Sequence, residues 1–178
     1  MQTRTSLGWI GTGRMGYEMA ARLAKGGCDV SVWNRTKAKA EPLAKHGATI
    51  ANELKDLSSR DIVFVMVSTW DDVKDVVAKL LAGTAKPKMV VECSSISLEG
   101  SAELRQLLAD KKIEYLAAPV SGNAKVIKAG MVFAVETYCP AADGISAARI
   151  EEEVILTPSG AKIISLYPAE ELPIANPY

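Results

Sequence analysis

The chain is predicted to be an α/β protein of Rossmann-like, doubly wound form: a mostly parallel sheet followed by a short carboxyl-terminal β-hairpin tail. Three observations predict it. Apolar runs alternate with stretches of helical periodicity from the first residues onward, the pattern of a sheet covered by helices on both faces. A glycine-rich turn, Gly11-Thr12-Gly13-Arg14-Met15-Gly16, lies between the first such run and the first helical stretch. Near residue 130 the charge balance changes sign, from 19 basic and 14 acidic side chains in residues 1–130 to 2 and 7 in residues 131–178, and five of the eight prolines fall in the later part. With 178 residues, 48% of them hydrophobic and 24% charged, the chain can bury one full core and a small appendage.

The elements follow in order. Leu7–Ile10 forms the first strand, and Met15, Met19 and Leu23 put an apolar stripe on the helix after the glycine turn. Gly26-Gly27 stops that helix, and the β-branched run Asp29–Trp33 is the second strand. A second helix is predicted over Lys37–Lys45, ending at His46-Gly47, which makes His46 a helix-end residue and not a base. Ala48–Ala51 is a short third strand, and Asn52 caps a small helix. Asp61–Val67 is almost continuously apolar, as a central buried parallel strand should be. Asp71-Asp72 open a helix with Val73, Val76, Val77 and Leu80 at core spacing. Met89–Cys93 is the fifth strand, Leu98–Lys111 a helix with Leu104, Leu107 and Leu108 on one face, and Tyr115–Ala118 and Met131–Val135 complete the strands. In the tail, Arg149–Thr157 and Lys162–Leu166 flank Pro158-Ser159-Gly160 as a hairpin. The resulting domains are 1–130, with a last strand reaching toward 136, and 131–178.

Composition excludes several classes of function. Basic and acidic side chains balance at 21 each, so the broad positive field of a nucleic-acid or membrane-surface binder is missing. The longest wholly apolar run, Ile62–Val67, is far short of a bilayer span, and the first residues lead straight into a strand. Cys28, Cys93 and Cys139 are odd in number and widely spaced, which suits neither a disulfide framework nor a zinc knuckle. A cytoplasmic, reducing compartment is the expectation.

The glycine turn carries the chemistry. Between a strand and a helix, Gly11 permits the sharp turn, Gly13 lets a pyrophosphate approach the backbone, and Gly16 lets the helix pack closely on the strand. Backbone N–H groups and the positive end of the helix then receive the anion, which makes Thr12, Arg14 and Met15 cofactor-binding residues alongside the glycines. A NAD site usually has Asp or Glu about 20 residues further on, to accept the ribose hydroxyls. Here the second strand ends Trp33-Asn34-Arg35-Thr36, with no carboxylate. The Arg35 guanidinium suits a 2′-phosphate, and Thr36 adds a hydroxyl, so NADP is expected ahead of NAD.

Three further segments, taken with this loop, make residues 6 to about 130 resemble the β-hydroxyacid dehydrogenase family. That family includes 3-hydroxyisobutyrate dehydrogenases, glyoxylate/succinic semialdehyde reductases and the cofactor domain of 6-phosphogluconate dehydrogenase. Met66-Val67-Ser68-Thr69 lies where such enzymes touch the cofactor, which implicates Val67 and Ser68. Glu92-Cys93-Ser94-Ser95 is similar to the family's DxST segment, which places Ser95 near the nicotinamide and Ser94 near substrate. Ala118-Pro119-Val120-Ser121-Gly122-Asn123 is similar to its DAPVSGG segment, which implies substrate-carboxylate contacts by Ser121, Gly122 and Asn123. Ala118 and Asn123 depart from the family's Asp and second Gly. The implied reaction is reversible hydride transfer between NADPH and a small aldehyde or hydroxyacid. The family's proton donor is a lysine of a following all-helical domain, so the chain is expected to be truncated before its catalytic domain, to turn over very weakly or not at all, and to expose apolar surface on its last helices and strand. Lys125 and Lys128 match no catalytic position, and no catalytic residue is assigned.

The tail resembles something else. Met131–Thr137, Ala148–Val154 and Thr157–Gly160 look like the carboxyl end of pita-bread metallopeptidases of the Xaa-Pro aminopeptidase and creatinase type. In those enzymes Glu136 and Glu151 would match the last two ligands of a dinuclear centre. Two carboxylates cannot build that centre, so no bound metal is expected. Two alternatives to the dehydrogenase reading remain: a non-catalytic nucleotide-binding or interaction module, and an inactive metallopeptidase fusion remnant.

Overall fold

A computed structural model describes residues 5–120 and, further on, the backbone of residues 132–140, 147–157 and 160–163. The chain divides into two compact units, Met1–Pro119 and Val120–Tyr178. The composition boundary at 130 lies outside the described residues.

In the first unit, β1 (Ser6–Ile10), β2 (Asp29–Trp33), β3 (Thr49–Ile50), β4 (Ile62–Val65), β5 (Met89–Glu92) and β6 (Glu114–Ala117) form one sheet in the order β3-β2-β1-β4-β5-β6. Every pairing is parallel. Helices α1 (Arg14–Lys25), α2 (Trp70–Leu81) and α3 (Leu98–Asp110) make the longer crossovers. This is the doubly wound architecture the sequence predicts. The strand order reverses between β1 and β4, and open sheets of this kind bind ligands at that point, beyond the strands' carboxyl ends.

Burial on both faces explains the near-continuous apolar strands. Trp9, Val30 and Val32 pack with Ala20, Ala21 and Ala24 of α1, while Ile10, Val63, Val65 and Val90 pack with Val73, Val77 and Leu80 of α2 and Leu104 and Leu108 of α3. Trp9 stacks on its β1–β4 neighbour Phe64 with ring centroids 5.1 Å apart. At the opposite end of the sheet from the glycine turn, Asp61 ties three segments together. Its carboxylate accepts from Lys88 Nζ (2.8 Å) and from Ser6 N and Oγ (2.8 and 2.7 Å), which holds its pKa well below the usual carboxylate range.

Several elements differ from expectation for identifiable reasons. Residues 37–46 form two 3₁₀ segments, Lys37–Lys39 and Glu41–His46, instead of one α-helix. Pro42 has no N–H to donate back along the turn, so the helix breaks at Ala40 and restarts with Pro42 in its first turn. His46 ends that segment, as expected, and its pKa is lowered by partial burial and by Lys25 and Lys45. Glu53, not Asn52, caps the following 3₁₀ helix (Leu54–Ser59): its side chain and that of Asp56 form a reciprocal capping box, while Asn52 Oδ1 accepts from Lys37 Nζ at 2.8 Å. Helix α2 begins one residue before Asp71, with Thr69 Oγ1 capping the Asp72 amide at 3.1 Å. Leu107 is 41% exposed, away from the buried stripe of Leu104 and Leu108.

In the second unit, β7 (Val132–Pro140), β8 (Ala147–Thr157) and β9 (Gly160–Ile163) form a separate antiparallel sheet in that order. The strand expected at 131–135 is therefore longer and belongs to this sheet instead of the parallel one. The predicted hairpin is present, with Thr157 paired to Gly160 across Pro158-Ser159.

Candidate functional site

The loop after β1 is wired to strands on both sides. Gly11 N donates to Trp33 O (3.0 Å), Met66 N to Ile10 O (2.9 Å), and Trp9 Nε1 to Gly11 O (2.9 Å). Gly11 has φ +95°, and a Cβ there would lie 2.1 Å from Met66 O; a Cβ on Gly16 would lie 2.0 Å from Gly11 O. Both glycines are thus required by the protein's own packing. Gly13 is different. Its φ of −69° suits any residue, and a Cβ there meets nothing within 4 Å. The missing side chain serves no internal contact and leaves the mouth of the loop open, as close approach of a ligand to the backbone requires.

Helix α1 starts from this loop with no side-chain cap and no acidic residue in its first turn. Its leading amides, those of Arg14 and Met15 among them, are therefore available to an anion, and Arg14 adds an exposed cation. Thr12 is engaged within the protein. Its amide donates to Asn34 Oδ1 at 2.9 Å, and Asn34 Nδ2 donates to Thr36 O, also at 2.9 Å. The Asn34 carboxamide clamps the loop to the end of β2, using an acceptor and a donor that no ionised carboxylate could combine. Thr12 is buried, and its hydroxyl oxygen has no hydrogen-bond partner among the described residues. Uncapped amides, an open Gly13 and adjacent cations fit a dinucleotide diphosphate.

A cleft of ≈ 170 Å³ opens here, and its walls include Gly11, Gly13, Asn34, Arg35, Thr36, Val67 and Ser68, all expected from the sequence. Met66, from the same expected segment as Val67 and Ser68, lines it too, and Trp33, Lys39, Asp72, Asp75 and Val76 do so without having been expected. Asp72 had one local signal, the Thr69-x-x-Asp72 spacing of a helix start. Nothing local shows that its Oδ1 lies 3.2 Å from Arg35 Nη1.

The second predicted segment is more internal than its resemblance implies. Ser94 is 2% exposed, and its Oγ accepts from Val67 N at 3.0 Å, so this hydroxyl joins the ends of β4 and β5 and occupies the Val67 amide. Glu92 is 1% exposed and accepts from Ser94 N at 2.6 Å. Burial raises its pKa despite that bond, and pushes the Cys93 thiol up to about 12. Ser95 is exposed and does not line the cleft. Ser121, Gly122 and Asn123 lie outside the described residues. Glu136 and Glu151 stand directly opposite each other in β7 and β8. Among the described residues, no group of three or more His, Cys, Asp or Glu could hold a metal ion, and no helix is long and apolar enough to cross a membrane.

Comparison with known proteins places these features in context. The family described as the NAD binding domain of 6-phosphogluconate dehydrogenase matches residues 6–147, beyond the change of composition at 130. A chloroplastic glyoxylate/succinic semialdehyde reductase 2 of Arabidopsis thaliana is 34% identical over 131 residues, covering 71% of this chain and 37% of the reductase. The 3-hydroxyisobutyrate dehydrogenase of Mycobacterium tuberculosis, solved with L-serine, superposes with a TM-score of 0.68 at 26% identity, over 80% of this chain and 49% of that one. An imine reductase from Myxococcus stipitatus in complex with NADP+ gives 0.60 at 33% identity, over 68% and 43% of the two chains. Its V8 variant in complex with NAD+ gives 0.61 at 28% identity, over 68% and 41%. The match thus spans less than half the length of each of these proteins.

Proposed function

Because the chain belongs to the family of the NAD-binding domain of 6-phosphogluconate dehydrogenase, within the β-hydroxyacid dehydrogenases, we propose that its cleft binds NADP(H) in preference to NAD(H). The reaction served is reversible hydride transfer with a small aldehyde or hydroxyacid. The observation that carries this reading is Gly13. Its neighbours Gly11 and Gly16 are explained by packing, whereas the space at Gly13 is explained by a ligand.

Each residue then has a task. The first amides of α1 and the Arg14 cation hold the diphosphate. Asn34 keeps the loop in register with the end of β2, and Arg35 and Thr36 receive the 2′-phosphate, where a planar guanidinium offers two parallel donors. Ser94 holds the Val67 amide, and so sets the position of the Val67-Ser68 wall. The bound nicotinamide would supply the hydride chemistry itself. Ser95 and the Ser121-Gly122-Asn123 segment are the proposed nicotinamide and substrate contacts. The match covers less than half of each of the reductases and dehydrogenases above, so coenzyme binding is the primary claim and turnover the secondary one.

Titration of tryptophan fluorescence with NADPH and NADH tests this, since Trp33 lines the cleft. Arg35→Ala is expected to weaken NADPH by about tenfold or more, roughly 1.4 kcal/mol, with little change for NADH. Equal effects on both coenzymes would remove the NADP assignment. A panel of hydroxyacids, followed by nicotinamide absorbance, separates a catalyst from a binding module: coenzyme binding with no oxidation of any of them favours the module.

A further inference from the structure

Three carboxylates lie at the start of α2, and two are satisfied within the helix. Asp71 pairs with Lys74 at 2.9 Å and Asp75 with Lys79 at 2.7 Å. Asp72 instead reaches across the cleft to Arg35, with Oδ1 3.2 Å from Nη1, bridging positions 37 residues apart. Its other oxygen accepts from Thr69 Oγ1 at 3.0 Å, and its own amide donates back to that hydroxyl. The carboxylate is therefore held in place by the cap of α2, while Arg35 is 82% exposed and can swing. Both residues line the same cleft.

Resting on the coenzyme reading above, we propose that Asp72 is a specificity-determining residue: by engaging Arg35 across the cleft mouth, it limits how strongly the site discriminates a 2′-phosphate from a 2′-hydroxyl. A guanidinium already paired with a fixed carboxylate must turn from it, or share it, to meet a phosphate. In the shared arrangement the carboxylate and phosphate repel one another. A coenzyme with a 2′-hydroxyl brings no such charge and leaves the Arg35–Asp72 pair intact. Discrimination is then the difference between two opposed effects, attraction by Arg35 and opposition by Asp72. Lys39, on the same wall, has no ion pair among the described residues and adds to the attraction.

The test is a set of equilibrium titrations with NADPH and NADH at fixed ionic strength, on the full chain and on Asp72→Asn. This variant removes the charge while keeping the shape and an oxygen for Thr69. Exposed ion pairs are weak, so the expected gain is about three- to tenfold tighter NADPH binding, with NADH changed by less than about twofold. The ratio of the two dissociation constants is the deciding readout, because a general loosening of α2 would shift both coenzymes together. In an Arg35→Ala background most of the gain should vanish. An unchanged NADPH/NADH ratio in Asp72→Asn, or a gain that persists in full without Arg35, overturns the assignment. If Asp72→Asn fails to fold, Asp72→Ser provides the same charge removal and the same comparison. Failure of the unaltered protein to bind either coenzyme at millimolar levels would overturn the coenzyme reading itself, and this inference with it.

Discussion

Glu92 shows how much a single side chain can hold in reserve. It lies at the carboxyl end of β5, 1% exposed, and accepts a hydrogen bond from the Ser94 amide. Desolvation disfavours its charged form more than that bond favours it, so its folded pKa lies above the ordinary 4.5. The sign of the linkage follows: the fold favours the protonated acid, and the stability tied to it is complete below the unfolded pKa and is lost as pH rises through the raised folded value. Glu92→Gln keeps an oxygen for Ser94 and cannot ionise. The melting temperature of Glu92→Gln relative to the unaltered protein should therefore climb as pH rises from below the ordinary glutamate pKa through the raised folded value, whatever constant offset the amide introduces. Parallel curves would show that the buried carboxyl does not titrate differently in the two states. The sequence makes Glu92 and Ser94 recognisable as a motif, but it does not show that their polar atoms are turned toward each other and the Val67 amide. Likewise Arg35 is legible as a cation at a strand tip, and its partner is not, because Asp72 becomes a neighbour only through the parallel sheet.

At the level of elements, the strand–turn–helix unit from β1 into α1 separates what the fold needs from what a ligand needs. Gly13→Ala should leave thermal stability within about 0.5 kcal/mol, since its backbone is permissive and the added methyl meets open space. It should weaken both coenzymes by about tenfold or more by blocking the approach of the diphosphate. Gly16→Ala should cost about 1–3 kcal/mol, because the methyl runs into Gly11 O and α1 must lift from the sheet. Denaturant unfolding beside coenzyme titration distinguishes the two variants, and a Gly13→Ala chain that binds normally would remove the main support for the site. Most strands and long helices were readable because a period of two or of 3.6 residues repeats within them. The exceptions are local. Pro42 interrupts a pattern that is otherwise helical, Glu53 outcompetes Asn52 because Asp56 completes a reciprocal cap, and Leu107 lies just off a stripe whose centre is Leu104 and Leu108. Each depends on a partner or a missing donor that hydrophobic periodicity does not register.

For the whole molecule, all three tryptophans, Trp9, Trp33 and Trp70, belong to the unit Met1–Pro119. Tryptophan fluorescence therefore follows the unfolding of that unit. NADPH at about a hundredfold over its dissociation constant should stabilise it by about 2.7 kcal/mol, visible as a rise in the fluorescence-detected melting temperature. No rise at saturation would argue against binding to the native fold. The strand order β3-β2-β1-β4-β5-β6 has one more consequence. Of these six strands, the first in chain order occupies an interior position, and each later one joins an outer edge of those already in place, first on one side and then on the other. No strand has to be wedged between two partners that have already met. Translation can thus lay down this parallel sheet strand by strand, without undoing any pairing made before.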